Sequence, residues 1–265
     1  MPSIRDFAAA KTAGRKLVLV TSYDSWSARL LSESPVDALL VGDSAMMVVH
    51  GHRDTLGATT EIMALHTRAV ARTAGEKLII ADMPFLAARK GTAFALDCAA
   101  ELLRAGAHAV KLEGLRGQAE LIHHMVESGI PVMGHLGLTP QSVHALGGYT
   151  VQAKDAADAA RLKEDAQALQ EAGAFAMVLE CIPQKLAREV SLSLRIPTIG
   201  IGAGPDCDGQ VLVLHDLLGL NPDFKPRFVR HYADGAATVR DGVAHFAKDV
   251  RAGVFPSPKE SFGSS

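Results

Sequence analysis

The amino-acid sequence predicts an α/β fold in which eight parallel strands alternate with helices and close into a barrel. Three observations lead to this prediction: short apolar runs without polar alternation, stretches of helical spacing between them, and eight such runs in 265 residues. Strands that are buried on both faces have this unbroken apolar pattern. Alternation, strand number and chain length together favour a (β/α)8 barrel, also called a TIM barrel.

The eight predicted strands are short and rich in Val, Ile or Leu. They are Lys16–Val20, Ala38–Val41, Leu78–Ala81, Ala109–Leu112, Pro131–Met133, Phe175–Leu179, Thr198–Ile201 and Val211–Leu214. Apolar residues at helical spacing fill the intervals, and glycine follows several of these stretches as a C-terminal cap would. The predicted helices are Thr60–Thr73, Phe94–Ala105, Ala119–Glu127, Ala156–Ala172 and Lys185–Leu194, with an extra C-terminal helix and its lead-in over Phe228–Ala252.

A doubly wound open sheet is the rival architecture. It usually has a glycine-rich turn after its first strand, whereas here the first strand is followed by Thr21-Ser22-Tyr23-Asp24. No composition shift or repeat marks a boundary, so we expect residues 1–265 to form a single domain. The polar tail near 255–265 is expected to be frayed.

Composition and charge narrow the function classes. The chain is 48% hydrophobic and 21% charged, with a net charge of −2 and scattered Lys and Arg residues. Neither a nucleic-acid nor a membrane-surface partner is therefore expected. Charged residues interrupt the N-terminal region, and no run approaches the ~20 apolar residues of a membrane span. Three widely spaced cysteines argue against a disulfide framework and favour a cytoplasmic protein.

Ionisable residues follow consecutive predicted strands. From the second strand to the sixth they are Asp43, Asp82, Lys111 with Glu113, His135 and Glu180. In a parallel barrel these ends share one face, and that face holds the active site. Any single acid after a strand could instead be the N-cap of the next helix. For Asp24, which follows the first strand, an N-cap and a functional role are equally good explanations.

Three of these residues predict a metal site. Asp43, Asp82 and Glu113 come from neighbouring strands, and converging carboxylates repel one another unless a cation lies among them. Oxygen-only ligands favour Mg²⁺. Lys111 points to the same side of its strand as Glu113, where it could form a salt bridge or hold an anion beside the metal.

Two further strand ends supply candidate proton-transfer groups. Glu180 lies between apolar Leu179 and Ile182, and such partial desolvation favours a general base, although an ion pair with a Lys or Arg is the alternative. His135 precedes an expected helix start at Thr139-Pro140, with Thr139 as the N-cap. Its role is either a hydrogen bond that fixes the turn or contact with the reaction.

Seven motifs in this order resemble the ketopantoate hydroxymethyltransferase family across nearly the whole chain. They are LLVGDS, TRAVAR, ADMPF, VKLEG, GHLGLTPQSV followed by GGY, VLECIP, and IGIGAG followed by CDGQVLV. The resemblance implies a Mg²⁺-dependent enzyme of pantothenate biosynthesis. It would transfer a hydroxymethyl group from 5,10-methylenetetrahydrofolate to 3-methyl-2-oxobutanoate, giving ketopantoate. It also implies a large homo-oligomer, with a homodecamer expected.

The resemblance implies a role for each candidate residue. Asp43, Asp82 and Glu113 would bind the metal, and Ser44 with Asp43, Asp82 and Lys111 would contact the keto acid. Glu180 would accept the proton, and His135 falls at an active-site histidine of the family pattern. Two positions depart from the pattern: Ala45-Met46 replaces Leu-Gly, and Gly57-Ala58 replaces Pro-Val. Neither removes a functional group.

Two other functions fit a barrel with these residues. One is a Mg²⁺-dependent enolate lyase or mutase of the phosphoenolpyruvate mutase type. The sequence lacks the cysteine-bearing KCG-like motif expected of many such enzymes, and Cys98 falls in the middle of a predicted helix. The other is a non-catalytic barrel that binds a keto acid, which predicts damaged ligand positions. Here all of those positions are intact.

Overall fold

The structure, a computed structural model, describes residues 3–263. Its strands are β1 Leu17–Thr21, β2 Ala38–Val41, β3 Leu78–Asp82, β4 Ala109–Lys111, β5 Val132–Gly137, β6 Ala176–Glu180, β7 Thr198–Ile201 and β8 Gly209–Leu212. The α-helices in this part of the chain are α1 Ile4–Thr12, α2 Ser25–Ser32, α3 Ala45–Val48, α4 Thr60–Ala71, α5 Thr92–Arg104, α6 Ala119–Glu127, α7 Ala156–Glu171, α8 Gln184–Ser193, α9 Leu214–Leu217 and α10 Gly235–Arg251. Short 3₁₀ helices span Ala87–Arg89, Pro140–Ser142 and Pro258–Glu260.

The eight strands form a closed barrel in sequence order. Every neighbouring pair is parallel, and the barrel closes where β1 pairs with β8, with Leu17 opposite Gly209. The (β/α)8 prediction is therefore confirmed. All strand C-termini lie at one end of the barrel, so the ionisable residues that end β2 to β6 share that end.

Six strands differ from the expected bounds, four of them by a single residue at one or both ends. The differences are largest in β5 and β8, where the strand continues into or begins at a glycine. β5 continues past Met133 through Gly134, where a side chain would lie 2.7 Å from Leu169 of α7. β8 begins at Gly209, where a side chain would lie 2.5 Å from the Leu17 carbonyl oxygen. At both positions glycine allows close packing within a strand, whereas the sequence pattern treats glycine as a break.

The helix termini test the expected caps. The Asp24 carboxylate accepts a hydrogen bond from the Ser27 N–H at 2.8 Å and so caps α2, which confirms the N-cap alternative for this acid. Thr139 occupies the N-cap position before Pro140, as expected, but the element that follows is a 3₁₀ turn, and the Thr139 side chain makes no cap hydrogen bond to it. Helix α1 was not expected, although Ser3 and Asp6 form a capping box at its start.

The barrel interior is filled by apolar side chains toward its amino end. Phe7 and Ala10 of α1 join a buried cluster that includes Leu19, Ile80 and Val178 from three strands. The Phe7 ring packs edge-on against Phe175, with ring centroids 5.4 Å apart. Helix α1 therefore contributes to the interior at the end opposite the ionisable residues. Among residues 3–263, no helix combines the length and the apolar character that a membrane span requires.

The chain divides into two compact units, Met1–Val213 and Leu214–Ser265. The first contains the whole barrel. The second contains α9, α10 and the 3₁₀ helix Pro258–Glu260, which begins with a capping box at Ser257. A single domain over 1–265 stays a prediction. The last two residues of the tail that was expected to fray, 264 and 265, lie outside the described residues.

Candidate active site

Six of the seven candidate residues form a continuous buried cluster at the carboxyl end of the barrel. Asp43 follows β2, Asp82 ends β3, Lys111 ends β4 with Glu113 two residues later, His135 lies in β5 and Glu180 ends β6. Their side chains are almost fully shielded from solvent, and Glu180 is the most accessible among those whose side chains form ion pairs, at 14%. Burial of this many charges requires that they compensate one another.

Asp82 contacts both neighbours in the part of the cluster that comes from β2, β3 and β4. Its Oδ1 accepts a hydrogen bond from the Lys111 ammonium at 2.8 Å, and its Oδ2 accepts one from the Asp43 backbone N–H at 3.1 Å. Desolvation opposes the charge on Lys111, but the Asp82, Glu113 and Asp43 carboxylates outweigh it and raise the lysine's pKa. Lys111 is thus a fixed cation. It forms its ion pair with Asp82, whereas the sequence had suggested a salt bridge with Glu113.

Gln141, which sequence reasoning missed, joins the two halves of the cluster. Its side-chain amide donates to Asp43 Oδ2 at 2.8 Å and to the Met83 carbonyl oxygen at 2.9 Å. Its backbone N–H donates to Glu113 Oε2 at 3.0 Å. Gln141 belongs to the 3₁₀ turn after β5, within the GLTPQSV motif, so a motif could have identified it where strand periodicity could not.

His135 lies between two carboxylates. Its Nδ1 is 3.5 Å from Glu113 Oε1, and its Nε2 is 3.3 Å from Glu180 Oε2. Burial and the Lys111 charge oppose the imidazolium, but Glu113 and Glu180 outweigh both and raise the pKa of His135 to about 9. The protonated ring therefore links the acid that follows β4 to the acid that ends β6. His135 lies among the candidate site residues, whereas a hydrogen bond that fixes the turn was the alternative.

Ser44 stands slightly apart from the cluster. Its hydroxyl shares a hydrogen bond of 2.8 Å with the Tyr23 hydroxyl, and Tyr23 is fully buried after β1. A side chain at Gly42 would lie 2.7 Å from Ser44 Oγ and 3.7 Å from Asp82 Oδ2, so this glycine leaves room for the polar groups. Tyr23 was recognised in the sequence only as the end of a strand.

The backbone around Glu180 is fixed on both sides. The Leu138 N–H donates to the Glu180 carbonyl oxygen at 2.9 Å, and the Gln152 N–H donates to the Cys181 carbonyl oxygen at 2.8 Å. Cys181 has a φ of +46°, a conformation that non-glycine residues rarely adopt and that is common at functional sites. Burial raises the pKa of the Cys181 thiol to about 12, so this cysteine is a buried spacer and not a nucleophile.

The cluster has more negative than positive charge. Burial, followed by the charges of Asp82 and Glu113, raises the pKa of Asp43 well above its usual value, although Lys111 and Gln141 act in the opposite direction. As the side chains stand, no three His, Cys, Asp or Glu residues within 3–263 form a metal-binding group. Asp43 and Asp82 are neighbours, whereas Glu113 is held by Gln141 and His135. The three-carboxylate metal site stays a prediction.

Chemically, the cluster combines an anchored ammonium, two adjacent aspartates and a partly accessible glutamate at one end of the barrel. An ammonium and hydrogen-bond donors can hold an anionic substrate, and a carboxylate at the opposite side can take a proton from it. This arrangement suits formation of a carbanion or enolate next to a carboxylate group.

Comparison with known proteins extends this description. A family model described as ketopantoate hydroxymethyltransferase matches residues 2–258. Two similar relatives are both named 3-methyl-2-oxobutanoate hydroxymethyltransferase. That of Bdellovibrio bacteriovorus is 51% identical and covers 99% of this chain and 100% of its own length. That of Trichlorobacter lovleyi is 50% identical, with 98% of each chain covered.

Solved structures show the same fold at much lower identity. A phosphonopyruvate hydrolase aligns with a TM-score of 0.63 and 15% identity, covering 100% of this chain and 92% of that one. A 2,3-dimethylmalate lyase, described as a PEP mutase/isocitrate lyase superfamily member, aligns with a TM-score of 0.62 and 18% identity over 99% and 92%. These likenesses show the barrel alone, whereas the full-length matches at about half identity show the family. The chain belongs to the ketopantoate hydroxymethyltransferase family.

Proposed function

We propose that this protein transfers a hydroxymethyl group from 5,10-methylenetetrahydrofolate to 3-methyl-2-oxobutanoate and so makes ketopantoate, a precursor in pantothenate biosynthesis. The observation that supports this most strongly is the buried cluster from Lys111 and Asp82 to His135 and Glu180. It occurs in a chain whose relatives at about 50% identity have that transferase name.

The donor set fits Mg²⁺. The acids of the cluster outnumber its cations, and the raised pKa of Asp43 reflects burial together with repulsion from Asp82 and Glu113. A divalent cation among these oxygens would relieve that repulsion. We assign Asp43, Asp82 and Glu113 as the residues that would hold Mg²⁺. When bound, the ion polarises the keto group and offsets the charge that develops on it.

Lys111, Ser44, Asp43 and Asp82 would position the keto acid. The Lys111 ammonium is held by Asp82 at 2.8 Å, so its charge is preorganised for an anionic substrate and costs little further ordering when substrate binds. The Ser44 hydroxyl is oriented by Tyr23. These groups would fix the substrate with its C3 carbon toward the opposite wall.

Glu180 is the proposed base. It is the partly accessible member of the cluster, and its Oε2 lies beside the His135 ring at 3.3 Å. It would take the C3 proton of the keto acid, and general-base catalysis of this kind typically contributes about 10²–10⁴-fold. The His135 imidazolium orients the Glu180 carboxylate on one side and Glu113 on the other, which couples the base to the metal-binding acids.

The transfer then balances. The C3–H bond of the keto acid breaks and its proton goes to Glu180. The electron pair forms a C–C bond to the one-carbon unit, both bonds from that carbon to the folate nitrogens break, and water supplies the hydroxyl group. The proton held by Glu180 and the second proton of that water end on the two folate nitrogens, which restores the Glu180 carboxylate. Tetrahydrofolate leaves, so the protein needs a separate place for this carrier beside the keto acid.

Self-association and a cytoplasmic location complete the proposal. The exposed apolar side chains of α10 recur at helical spacing, at Val239, Val243, Phe246 and Val250. Such a stripe supports a homo-oligomeric interface, for which we propose a decamer. The three cysteines are buried and unpaired by disulfides, as in a reducing compartment.

The direct test uses purified protein with Mg²⁺, 3-methyl-2-oxobutanoate and 5,10-methylenetetrahydrofolate. We expect ketopantoate by mass spectrometry, and we expect C3 deuterium exchange in D₂O when the folate is omitted. Exchange with no folate-dependent product would instead support the enolate lyase or mutase function. Binding of the keto acid with neither exchange nor product would indicate a non-catalytic barrel.

A further inference from the structure

A cavity lined by residues that follow β3, β4 and β5 adjoins the acidic cluster. It has a volume of about 160 Å³ and lies behind the strand ends of β3 and β4. Glu113 and Gln141 line it, and both also belong to the cluster, so the cavity and the cluster share these two residues. Whatever occupies this cavity lies next to the position proposed for the keto acid.

Gln118, one of the residues that line the cavity, has a side-chain oxygen with no hydrogen-bond partner in the described part of the chain. Gln118 is 2% exposed, and its side-chain nitrogen donates to the Glu113 carbonyl oxygen at 3.0 Å. Because a carbonyl oxygen only accepts, this bond fixes the orientation of the amide. Within residues 3–263, the Gln118 Oε1 is buried without a hydrogen-bond partner. A buried unpaired acceptor is costly and calls for an N–H or O–H donor from a ligand.

Part of the cavity lining is apolar and reaches solvent. Pro84, Phe85 and Leu86 line it, with Phe85 38% and Leu86 43% exposed. Leu86 has a φ of +63°, a conformation disfavoured for a branched apolar residue. Strained backbone is common at ligand-binding sites, and an aromatic side chain in the cavity lining can stack on a flat ring.

Cavity size and charge limit the ligand further. Pockets for whole drug-sized molecules usually measure about 300–1,000 Å³, so this space accepts one flat ring system and leaves the rest of a larger ligand outside. Arg89 also lines the cavity and is exposed, with one guanidinium nitrogen donating to the Arg116 carbonyl oxygen. Its charge suits an anionic group at the mouth of the cavity.

We propose that this cavity, the carrier pocket, binds the flat, nitrogen-rich ring of the one-carbon donor. The proposal rests on the proposed function. A ring N–H or amino group donates to Gln118 Oε1, the ring face packs on Phe85, and the anionic tail lies beside Arg89. The one-carbon unit then faces the wall of Glu113 and Gln141, next to the keto acid.

The experiment measures binding of two probes by calorimetry in the presence of Mg²⁺ and the keto acid. Tetrahydrofolate has the ring and the anionic tail, and 6-methyltetrahydropterin has the ring alone. We expect Phe85→Ala and Gln118→Met to raise the Kd of both probes by about fivefold or more. Arg89→Ala should raise the Kd of tetrahydrofolate alone. The matched control is Phe94→Ala, since Phe94 is 42% exposed and lies outside the cavity lining.

Kinetics separate this pocket from a structural effect. For Phe85→Ala and Gln118→Met we expect a higher KM for the folate and an unchanged Kd for the keto acid. If the wild-type protein turns over and binds both probes, but Phe85→Ala binds them with the wild-type Kd, the carrier pocket is elsewhere. If the wild-type protein neither binds tetrahydrofolate nor forms product, the proposed function itself is wrong. Phe85→Ala remains decisive if the buried Gln118→Met variant does not fold, because Phe85 lies at the surface.

Discussion

The inward-facing positions of the strands hold apolar side chains at the amino end of the barrel and ionisable side chains at its carboxyl end. In β3, Leu78 and Ile80 belong to the apolar cluster, and Asp82, the next residue on that face, forms the ion pair with Lys111. In β6, Ala176 and Val178 are followed in the same way by Glu180. Since side chains alternate along a strand, each inward row changes from apolar to ionic in one step.

This difference assigns separate tasks to the two ends. At the amino end, apolar side chains and α1 provide packing that stabilises the barrel. At the carboxyl end, buried charges compensate one another imperfectly, which is unfavourable for folding and useful for chemistry. Substitutions of the clustered residues at the carboxyl end should therefore change rates, and they should also lower stability where they leave a buried charge unpaired. Substitutions at the amino end should change the free energy of unfolding and leave the rates nearly unchanged.

The largest expected effect is on turnover in Asp82→Ala. This change removes a proposed Mg²⁺ ligand, the partner of Lys111 and the acceptor for the Asp43 N–H. Loss of several kcal/mol of transition-state stabilisation corresponds to roughly 10³-fold or more in kcat/KM. Steady-state kinetics and Mg²⁺ titration measure it. Asp97→Ala on the outer face of α5 is the control. Normal turnover in Asp82→Ala would contradict the three-carboxylate metal site.

Glu180→Gln should have the next largest effect. The amide keeps the size of the side chain but cannot accept the proton, so C3 exchange and product formation should both fall by about 10²-fold or more. Affinities for Mg²⁺ and the keto acid should stay within about tenfold. Deuterium exchange by NMR and calorimetry measure these quantities, with Glu189→Gln on the exposed surface of α8 as the control.

Other outcomes for Glu180→Gln have distinct meanings. If C3 exchange persists while product formation stops, Glu180 serves the folate half of the reaction and another group, such as His135, is the base. If Mg²⁺ binding collapses instead, Glu180 is a metal ligand. Each result would change the division of roles at the carboxyl end without affecting the fold.

The contrast between the two ends explains why the fold was largely predictable. Apolar runs such as Ala38–Val41 and Thr198–Ile201 coincide with β2 and β7, because strands buried on both faces leave no ambiguity of pattern. The largest boundary errors fall at glycines, at Gly134 within β5 and at Gly209, which begins β8. There tertiary contacts with Leu169 and Leu17 decide, and a single sequence does not display such contacts.

Most of the candidate site was predictable because its residues lie at or near the carboxyl ends of strands. Asp82 and Glu180 were found by that rule, because a parallel barrel brings all strand ends to one face. Gln141 reaches the cluster from a 3₁₀ turn, and its two contacts to Asp43 and Glu113 depend on the path of a loop. The choice of Asp82 as the Lys111 partner likewise depends on the pairing of β3 with β4.

Lys111→Met tests how much the ion pair between Lys111 and Asp82 contributes to the free energy of unfolding. The change leaves Asp82 buried without its cation, and breaking a buried pair typically costs about 3–5 kcal/mol. Chemical denaturation without Mg²⁺ measures the loss. The double variant Lys111→Met/Asp82→Asn should recover more than about 1 kcal/mol of it. Strictly additive losses would mean that the pair at 2.8 Å contributes no coupling.

Phe7→Ala examines the opposite end. Phe7 is 2% exposed, and its loss from the apolar cluster should lower the free energy of unfolding by about 3 kcal/mol. Because the ring lies at the amino end, kcat and KM measured well below the melting temperature should stay within about twofold. Phe7→Leu, which keeps much of the volume, should lose less than half as much stability. A large fall in kcat with unchanged unfolding would contradict the division between the two ends.

The smallest expected effect is that of replacing Asp24, an acid that follows a strand at the carboxyl end of the barrel but caps a helix. Asp24 follows β1 as Asp43 follows β2, yet its carboxylate caps α2 through the Ser27 N–H at 2.8 Å. Asp24→Ala should therefore cost about 1 kcal/mol of stability, and Asp24→Asn, which retains a capping oxygen, a few tenths at most. Both variants should keep kcat/KM within about twofold, measured beside thermal denaturation. A loss of activity in Asp24→Asn with unchanged stability would mean that this acid belongs to the functional site. Location after a strand would then indicate function better than the hydrogen bonds of the side chain do.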